Sequence, residues 1–308
     1  MVEILKRTTA KFQHFKFNLR VNFVSGDLFD FDSYRVVKQL NASRNFFSKD
    51  PTVILADPFL FVHKGELYLF YEMQKGMYGK GVIRMRKTKD LKKWSKSRVV
   101  LKQKFHLSYP NVFTLNGKIF MMPETHENKS VRLYTPNKSL TKWKRYRTLI
   151  KGKDFVDSSI IVHNDIYYLF TTEYNDRDTL LRLYMSDSLK GKWAEHPQSP
   201  LKKDKNDSRC AGSLFYHEEK LYRPCQRSDE TYGDGVDIYQ VEKLSPLEYS
   251  EKKISNIIPN NDKFYSIGGH HFNPCEFNGI QLVATDALDK GTNIYEITRR
   301  VKSKFSKK

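Results

Sequence analysis

The sequence predicts an all-β protein, and specifically a five-bladed β-propeller, from three observations. A unit of about fifty residues recurs five times along the chain, and a period of that length is typical of propeller blades. Each unit reads as short strands separated by tight turns, with almost no helical periodicity. The abundance of Phe and Tyr, with 21 and 18 residues, also favours strands. The regular spacing argues against a two-sheet sandwich, which is the competing all-β fold.

The repeat is clearest in two segments that align without a gap. Residues 57–70 read DPFLFVHKGELYLF, and residues 157–170 read DSSIIVHNDIYYLF. The same frame fits three further segments, so the predicted blades begin near Asp57, Tyr109, Asp157, Ala211 and His271. The steps between these starts are 52, 48, 54 and 60 residues.

Short turns and tryptophans punctuate the repeat. The first two strands of every unit are joined by two residues of the kind that hairpin turns favour, at Lys64-Gly65, Asn116-Gly117, Asn164-Asp165, Glu218-Glu219 and Asn278-Gly279. A third strand follows in each unit and covers 293–297 in the last one. The first three units end in Trp94, Trp143 and Trp193, which we interpret as packing anchors between blades.

The chain divides into three parts on this reading. Residues 1–50 form an N-terminal segment whose stretch 17–23 supplies the fourth strand of the last blade. Residues 51–298 carry the five blades, and 299–308 form a basic tail. Closure by the N-terminal strand protects the edge of the last blade from pairing with another chain.

The chain is strongly basic, with 54 Lys+Arg against 35 Asp+Glu and a net charge of +19. Such a surplus favours anionic partners, among them an anionic membrane surface and phosphorylated or acidic glycans. Nucleic acid is not the expected partner, because the sequence has no zinc-knuckle spacing, RNP motif or helix-turn-helix pattern. A generic solvated lysine surface is the alternative.

The N-terminal residues lack the apolar core and small-residue cleavage site of a secretory signal. No run of 18 apolar residues predicts a membrane span. An odd number of cysteines, three in all, fits a reducing compartment. We therefore expect a cytoplasmic protein, peripheral at the inner face of a membrane if its basic surface binds lipid.

The repeat places polar residues in two rings on one face of the predicted propeller. The first strand of a blade starts at the axis, and the second strand ends on the same rim. The inner ring therefore contains the five blade starts, flanked by Arg209 and His270. The outer ring contains the residues that end the second strands, Glu72, Glu124, Thr172, Gln226 and Asp286, with Glu173 one step beyond Thr172.

Carboxylates crowded into a funnel of low dielectric raise one another's pKa, so one of them can stay protonated as an acid. This is the usual provision for glycosyl transfer, in which one group activates the nucleophile and another protonates the leaving oxygen. The alternative for Asp57 and Asp157 is that they cap turns or bind backbone amides at strand starts.

Three other motifs are weaker indicators of function than the two polar rings. His270-His271 has no spaced set of His or Cys around it, so no metal site is predicted, although a divalent cation at the axis stays open. Cys210 and Cys225 are expected to be neighbouring, buried free thiols. The polar segment 226–235 is either a substrate lid or simply a loop.

Some of these residues resemble known glycosidases. The segment ADPF at 56–59, Asp157, and the SDSLxxxW pattern at 186–193 look like the five-bladed propellers of the arabinanase/β-xylosidase and invertase clans. The resemblance implies that Asp57 is a base or nucleophile and that Asp157 tunes pKa values. It also implies a Glu as the acid, and Glu124 is the chosen match, ahead of Glu72 and Glu173.

A closer resemblance covers roughly residues 50–280. Motifs at 108–113, 122–124, 196–200, 209–212, 221–224 and 269–272 are similar to the N-terminal propeller domain of glucosamine inositolphosphorylceramide transferases. Similar free-standing proteins are associated with bacterial surface-polysaccharide synthesis. The plant proteins carry a separate transferase domain that this sequence lacks, and a fold resemblance alone establishes no chemistry.

The leading hypothesis is an enzyme of cell-surface glycan assembly that transfers a sugar from a nucleotide-sugar or lipid-linked donor. Its catalytic residues would be Asp57, Asp157 and Glu124. The expected substrate-binding residues line the same funnel, and they are Tyr109, Asn111, Glu72, Arg209, Gln226, His270, His271 and Asp286. Among these, Arg209 and the His pair would hold an anionic donor or acceptor. A furanosidase-type glycoside hydrolase and a non-catalytic glycan-binding propeller are the two alternatives.

Overall fold

The structure is a computed structural model that describes residues 13–42, 47, 52–76, 79–175, 178–229, 231–257 and 263–292. Twenty-one strands cover most of these residues, and in chain order they are β1 (Gln13–Val24), β2 (Tyr34–Leu40), β3 (Thr52–His63), β4 (Glu66–Lys75), β5 (Val82–Thr88), β6 (Arg98–Leu101), β7 (Ser108–Leu115), β8 (Lys118–Glu124), β9 (Ser130–Pro136), β10 (Trp143–Lys151), β11 (Asp154–His163), β12 (Ile166–Tyr174), β13 (Thr179–Ser186), β14 (Ala194–Glu195), β15 (Lys202–Lys203), β16 (Phe215–His217), β17 (Lys220–Arg227), β18 (Gly235–Leu244), β19 (Tyr249–Ile257), β20 (Phe272–Phe277) and β21 (Ile280–Thr292).

Helical structure in the described ranges is confined to three short 3₁₀ turns, Phe31–Ser33, His126–Asn128 and Lys263–Tyr265. None of the helices described is long and apolar enough to cross a bilayer.

The described strands form four sheets that follow the repeat, and all their pairings are antiparallel except one. The second unit is the sheet β10-β9-β8-β7, the third is β11-β12-β13-β14 with β15 beside β13, and the fourth is β16-β17-β18-β19. The remaining strands form one sheet of eight, in the order β20-β21-β1-β3-β4-β5-β6 with β2 on β1. All-β architecture is therefore confirmed.

The eight-stranded sheet contains both the first and the fifth unit. The two units are joined by a single parallel pairing, between Phe17 of β1 and Ile54 of β3. Because this contact makes one hydrogen-bonded sheet of two units, the described strands form four sheets and not five. The number of five blades stays a prediction.

The N-terminal segment contributes two strands to the last unit where one was expected. Strand β1 pairs with β21 from Gln13 opposite Thr292 to Phe23 opposite Leu282, and β2 then pairs with β1. The predicted third strand at 293–297 and the basic tail at 299–308 lie outside the described residues. The fourth position of this unit is taken by β2, which sequence analysis did not identify as a strand.

The five predicted turns are present, and all ten of their residues have positive φ, from 47° at Glu218 to 72° at Gly279. Two consecutive residues with positive φ define the turn whose twist matches a two-stranded hairpin. Asn-Gly pairs adopt this conformation readily, whereas the Glu218-Glu219 turn does so without glycine.

The tryptophans lie between consecutive units, as predicted. Trp143 of the second unit belongs to one apolar cluster with Phe70 of the first, and their rings meet edge to face at 5.8 Å. Trp193 packs against a cluster of the second and third units. Trp94 packs against a cluster of the fifth and first units. Each indole therefore fills the space between its own unit and the one before it.

We predict that Trp143→Ala lowers the free energy of unfolding by about 3–5 kcal/mol, because it removes a large buried side chain from an interface between sheets. Trp143 is only 8% exposed. Urea unfolding followed by far-UV circular dichroism measures the change. Leu247→Ala is the control, because Leu247 is 72% exposed and should change the free energy by less than about 0.5 kcal/mol. Equal unfolding midpoints for the two variants would contradict the packing role.

Candidate active site at the strand starts

Strands β3, β7 and β11 each contain, in their first half, a residue in the left-handed conformation. Asp57, Tyr109 and Asp157 have φ of 50°, 46° and 46°, and each coincides with a register shift between the first and second strands of its unit. A bulge of this kind re-aims a side chain, and a left-handed residue other than glycine costs about 1–2 kcal/mol. The surrounding contacts must therefore hold these residues in place.

Those contacts run from one unit to the next around the axis. The backbone N–H of Asp57 donates to Asp286 Oδ2 of the fifth unit at 3.1 Å. The backbone N–H of Tyr109 donates in turn to Asp57 Oδ2 at 3.0 Å. Asp57 therefore binds a backbone amide at a strand start, as the structural alternative holds. Its other oxygen, Oδ1, lies 3.9 Å from His270 Nδ1 and 3.7 Å from His271 Nδ1.

Asp157 is held by the fourth unit. Its Oδ2 accepts hydrogen bonds from Arg209 Nε and from Gln226 Nε2, the latter at 3.0 Å. The same guanidinium reaches Glu124, with Nη2 3.8 Å from Oε2. Arg209 therefore bridges the carboxylates of Asp157 and Glu124, and Gln226 lies beside the first of them.

The pKa values of this carboxylate pair are driven apart. Burial raises the pKa of Asp157 to about 7, against the opposing charge of Arg209 and with the help of the negative charge of Glu124. Burial would also raise the pKa of Glu124, but the hydrogen bond from His126 and the charge of Arg209 outweigh it and lower that pKa to about 2. The two carboxyl groups thus differ in how readily they take up a proton, and Asp157 is the one that favours the protonated form.

Asp57 is buried next to the same group of residues. Burial raises its pKa well above the ordinary value, the charge of His270 opposes the rise, and the charge of Asp157 adds to it. The ring of Tyr232 contacts both His270, which lies 3.9 Å from Asp57 Oδ1, and the Arg209 guanidinium, which bridges the other two carboxylates. The three predicted catalytic residues, Asp57, Asp157 and Glu124, therefore belong to one cluster of buried side chains.

The two histidines have different environments. His270 Nδ1 lies 2.8 Å from Asp286 Oδ2, and although burial lowers the pKa of His270, this carboxylate raises it to about 9. The ring of His271 contacts Phe59 and Tyr109 at centroid distances of 4.7 and 5.5 Å, and burial lowers the pKa of His271 to about 3. His270 is thus a paired cation, and His271 is a neutral ring in the wall of the pocket.

Tyr109 and Asn111 join units to one another. The Tyr109 hydroxyl donates to the carbonyl of Gly212 at 2.6 Å and accepts the N–H of Gly212 at 2.8 Å. The Asn111 amide donates to the carbonyl of Ser158 and accepts from Ser213 Oγ. Both side chains connect the second unit with units further along the ring, so their polar groups are already used within the protein.

The remaining predicted acids separate into two environments. Glu72 Oε1 lies 3.2 Å from His106 Nε2, next to the pocket. Glu173, which ranked behind Glu124 as an acid, instead accepts from Lys153 Nζ at 2.9 Å and from Arg182 Nε at 2.7 Å. These two contacts place Glu173 in a separate network of ion pairs with Lys153 and Arg182.

Sequence reasoning missed four residues at the pocket. His126 Nδ1 pairs with Glu124 Oε1 at 2.7 Å, and the ring of His106 lies 6.1 Å from that of His126. The rings of Tyr174 and Tyr232 lie 5.4 and 5.3 Å from the Arg209 guanidinium carbon. All four lie in loops, a 3₁₀ turn or a strand end outside the repeat frame. The nearness of His126 to Glu124 in sequence could have indicated the first, and Tyr232 lies in the segment 226–235 that the sequence offered as a lid or a loop.

Three ligand atoms from Asp57, His270 and Asp286 lie within 4.8 Å of one another. A divalent cation prefers oxygen ligands of this kind. Here, however, Asp286 Oδ1 accepts the backbone N–H of His270, and its Oδ2 pairs with the imidazole of the same residue. A cation would have to displace the positive charge of His270, so this set is better suited to an ion pair than to a metal.

As predicted, Cys210 and Cys225 are buried free thiols.

Comparison with known proteins identifies relatives of the whole central region. A family model described as glucosamine inositolphosphorylceramide transferase 1, N-terminal, matches residues 40–281. The chain is 35% identical over 212 residues to glucosamine inositolphosphorylceramide transferase 1 of Oryza sativa subsp. japonica, covering 67% of this chain and 28% of that protein. It is 31% identical over 261 residues to the protein of the same name from Arabidopsis thaliana, covering 80% of this chain and 34% of that protein. The chain thus spans about a third of the length of the curated relatives it matches.

A solved structure shares the fold. A thermostable family-43 glycoside hydrolase superimposes with a TM-score of 0.55 at 15% identity, covering 77% of this chain and 89% of that one. At this identity the likeness shows the fold alone, which is that of the β-propeller glycosidases. The resemblances inferred from the sequence motifs are therefore confirmed.

We predict that Asp157→Asn changes how stability depends on pH. The folded protein binds a proton at Asp157 up to a pKa of about 7, whereas an unfolded Asp loses it near pH 3.9. Between these values the folded state binds more protons, so this group lowers the free energy of unfolding as pH rises. Because the variant lacks this contribution, its stability relative to wild type should be greater at pH 7.5 than at pH 5.

Urea unfolding of both proteins at the two pH values measures this difference. Asp165→Asn is the matched control, because Asp165 lies in an exposed turn and should be displaced from wild type by the same amount at both pH values. A constant offset between Asp157→Asn and wild type would show that Asp157 titrates normally.

Proposed function

Because the chain belongs to the family of the N-terminal region of glucosamine inositolphosphorylceramide transferase 1, we propose that it is a carbohydrate-active enzyme that transfers a sugar at the strand-start pocket. The proposal includes five blades around this pocket. The observation that carries it is the joint burial of Asp57, Asp157 and Glu124 with pKa values driven in opposite directions. Paired carboxyl groups of unlike protonation are what acid–base catalysis on a sugar requires.

Asp57 is the proposed base or nucleophile. Its Oδ2 is fixed by the backbone N–H of Tyr109, while Oδ1 has no hydrogen-bond partner among the described residues and faces the pocket. A raised pKa makes the ionised form a stronger base. In transfer, the acceptor hydroxyl loses its proton to Asp57 as its oxygen bonds to the anomeric carbon.

The Asp157–Glu124 pair is the proposed acid. The leaving oxygen must gain a proton as its bond to the anomeric carbon breaks, and the proton that the pair holds on Asp157 is available for this. Arg209, which contacts both carboxylates, stabilises the pair once the proton has left. Glu124 alone is ionised, so the acid role predicted for it is assigned to the two carboxyl groups together.

The charge of the pocket supports an uncharged sugar ring as the bound group. Arg209 and His270 are paired with Asp157 and Asp286, so neither cation is fully available to an anionic ring. A phosphate of a nucleotide-sugar or of a lipid-linked sugar would then lie against the basic surface, in keeping with the net charge of +19. The name of the relatives includes inositolphosphorylceramide, which supports a lipid-linked partner. The proposal also includes a location at the cytoplasmic face of a membrane, where the basic surface would meet anionic lipid.

Hydrolysis is the second candidate. The fold likeness extends over 89% of a family-43 glycoside hydrolase, and water can take the place of the acceptor in the same arrangement of carboxylates. Fold likeness is an analogy and does not establish the reaction.

We predict that Asp57→Asn lowers turnover at least about 100-fold, since it removes the base while preserving shape. Wild type and variant are incubated with UDP-N-acetylglucosamine, a lipid-phosphate sugar and aryl furanosides, and sugar release or transfer is followed by chromatography. Asp165→Asn, on the exposed turn, is the control and should retain full turnover.

The outcomes separate the hypotheses. Unchanged turnover in Asp57→Asn would remove the assigned site. Release of sugar from an aryl furanoside without any acceptor would favour the hydrolase. Binding of a sugar compound without turnover by wild type would favour a glycan-binding propeller.

A further inference from the structure

The loop that joins β17 to β18 packs on the candidate site, because its Tyr232 contacts His270 and Arg209. The N–H of Gly233 donates to Ser228 Oγ at 3.1 Å, and the N–H of Asp234 donates to the carbonyl of Arg227 at 3.1 Å. The N–H of Thr231 donates to Asp234 Oδ2 at 3.3 Å. The loop is thus closed by its own hydrogen bonds, which favours a wall over a lid.

Two glycines press this loop against the fifth unit. Gly233 has a φ of 66°, and a side chain there would meet His270 Cβ at 2.9 Å. A side chain at Gly268 would meet the carbonyl oxygen of Gly233 at 2.6 Å. This close approach needs a residue without a Cβ on both sides. It fixes the position of Gly233, and of Tyr232 next to it, relative to His270.

Tyr232 is the residue that this approach positions. Its ring meets the His270 ring edge to face at 5.4 Å and 84°, and the Arg209 guanidinium lies 5.3 Å from its centre. The residue is nevertheless 46% exposed. A rigid aromatic ring is therefore held between two residues of the pocket while much of its surface stays open to a ligand.

The hydroxyl of Tyr232 is also available. The other tyrosine beside Arg209, Tyr174, accepts a hydrogen bond from Arg209 Nη1 at 2.8 Å, whereas Tyr232 has no hydrogen-bond partner among the described residues. The Arg209 guanidinium beside the Tyr232 ring also bridges Asp157 and Glu124. Tyr232 therefore belongs to the cluster of side chains that the proposed reaction uses.

We propose that Tyr232 is the specificity-determining contact for an uncharged sugar ring. The C–H face of the sugar packs on the exposed part of the aromatic ring, and the phenol donates a hydrogen bond to a sugar hydroxyl. Aromatic residues with a polar tip provide both contacts with little loss of conformational freedom. The inference rests on the proposed function of the pocket, and it names the chemical class of what the pocket receives.

Binding of simple glycosides tests this role. Methyl α-L-arabinofuranoside, methyl β-D-xylopyranoside and methyl N-acetyl-α-D-glucosaminide, all uncharged, are titrated into wild type by calorimetry, with saturation-transfer NMR to detect weak binding. We expect at least one to bind, Tyr232→Ala to weaken it about tenfold, and Tyr232→Phe, which keeps the ring, to weaken it less. In turnover assays Tyr232→Ala should raise KM more than it lowers kcat.

Tyr216→Ala is the matched control. Tyr216 is similarly exposed, at 48%, but it lies beside the Glu218-Glu219 turn, at the end of its unit away from the pocket. It should bind glycosides like wild type, and both alanine variants should unfold at the wild-type urea midpoint.

Wild-type affinity in Tyr232→Ala would overturn this inference and leave the proposed function standing. Loss of turnover in Asp57→Asn together with unchanged binding in Tyr232→Ala would also overturn the role of Tyr232 and support the proposed function. Glycoside binding that depends on Tyr232, in a protein without turnover, would support the contact and overturn the proposed reaction. Lack of binding by wild type to every glycoside would overturn the inference, whatever turnover of nucleotide-sugars shows.

Discussion

The structure depends on hydrogen bonds that pass from a carboxylate of one unit to the first backbone N–H of the next. Asp286 accepts from Asp57, and Asp57 accepts from Tyr109. These bonds stabilise residues in the left-handed conformation, which the chain would otherwise avoid, and they join the fifth unit to the first and the first to the second. The second oxygen of the same Asp57 carboxylate lies 3.9 Å from His270 Nδ1 and 3.7 Å from His271 Nδ1. The contacts between units and the geometry of the site therefore depend on one set of hydrogen bonds.

Burial of so many acids is unfavourable unless positive charge accompanies them. Arg209 belongs to a different unit from the acids it neutralises. It lies in the fourth unit and contacts Asp157 of the third and Glu124 of the second. His270 and Asp286 instead form a pair within the fifth unit. Because each acid has a different balance of burial and neighbouring charge, acids that are alike in sequence differ in pKa. This difference, and not the number of acids, is what makes the pocket suitable for acid–base chemistry.

The outer and inner parts of each unit have separate tasks. Tryptophans such as Trp143 fill the spaces between units far from the pocket, where the requirement is for apolar volume. At the strand starts the contacts between units are polar, such as those of Asn111 and Tyr109. The structural alternative is that the polar residues at these positions only hold strands together. It is true of Tyr109, Asn111 and one oxygen of Asp57. It does not account for the second oxygen of Asp57, which has no hydrogen-bond partner among the described residues, or for the opposite pKa shifts of Asp157 and Glu124.

The sequence alone determined the features that repeat or are local. Turn conformations, the strand order within a unit, the tryptophan positions and the convergence of Asp57, Asp157 and Glu124 all follow from a period and from short-range chemistry. Only the tertiary structure decided the contacts between units: the pairing of β1 with β3, the second N-terminal strand, and the partners His126 and Tyr232. These contacts involve loop residues that have no equivalent in the other repeat units. They also depend on β-bulges, which change the direction of a side chain but do not alter the hydrophobic pattern of the sequence. The protonation of each acid was decided there as well, because pKa depends on burial and on charges brought close by folding.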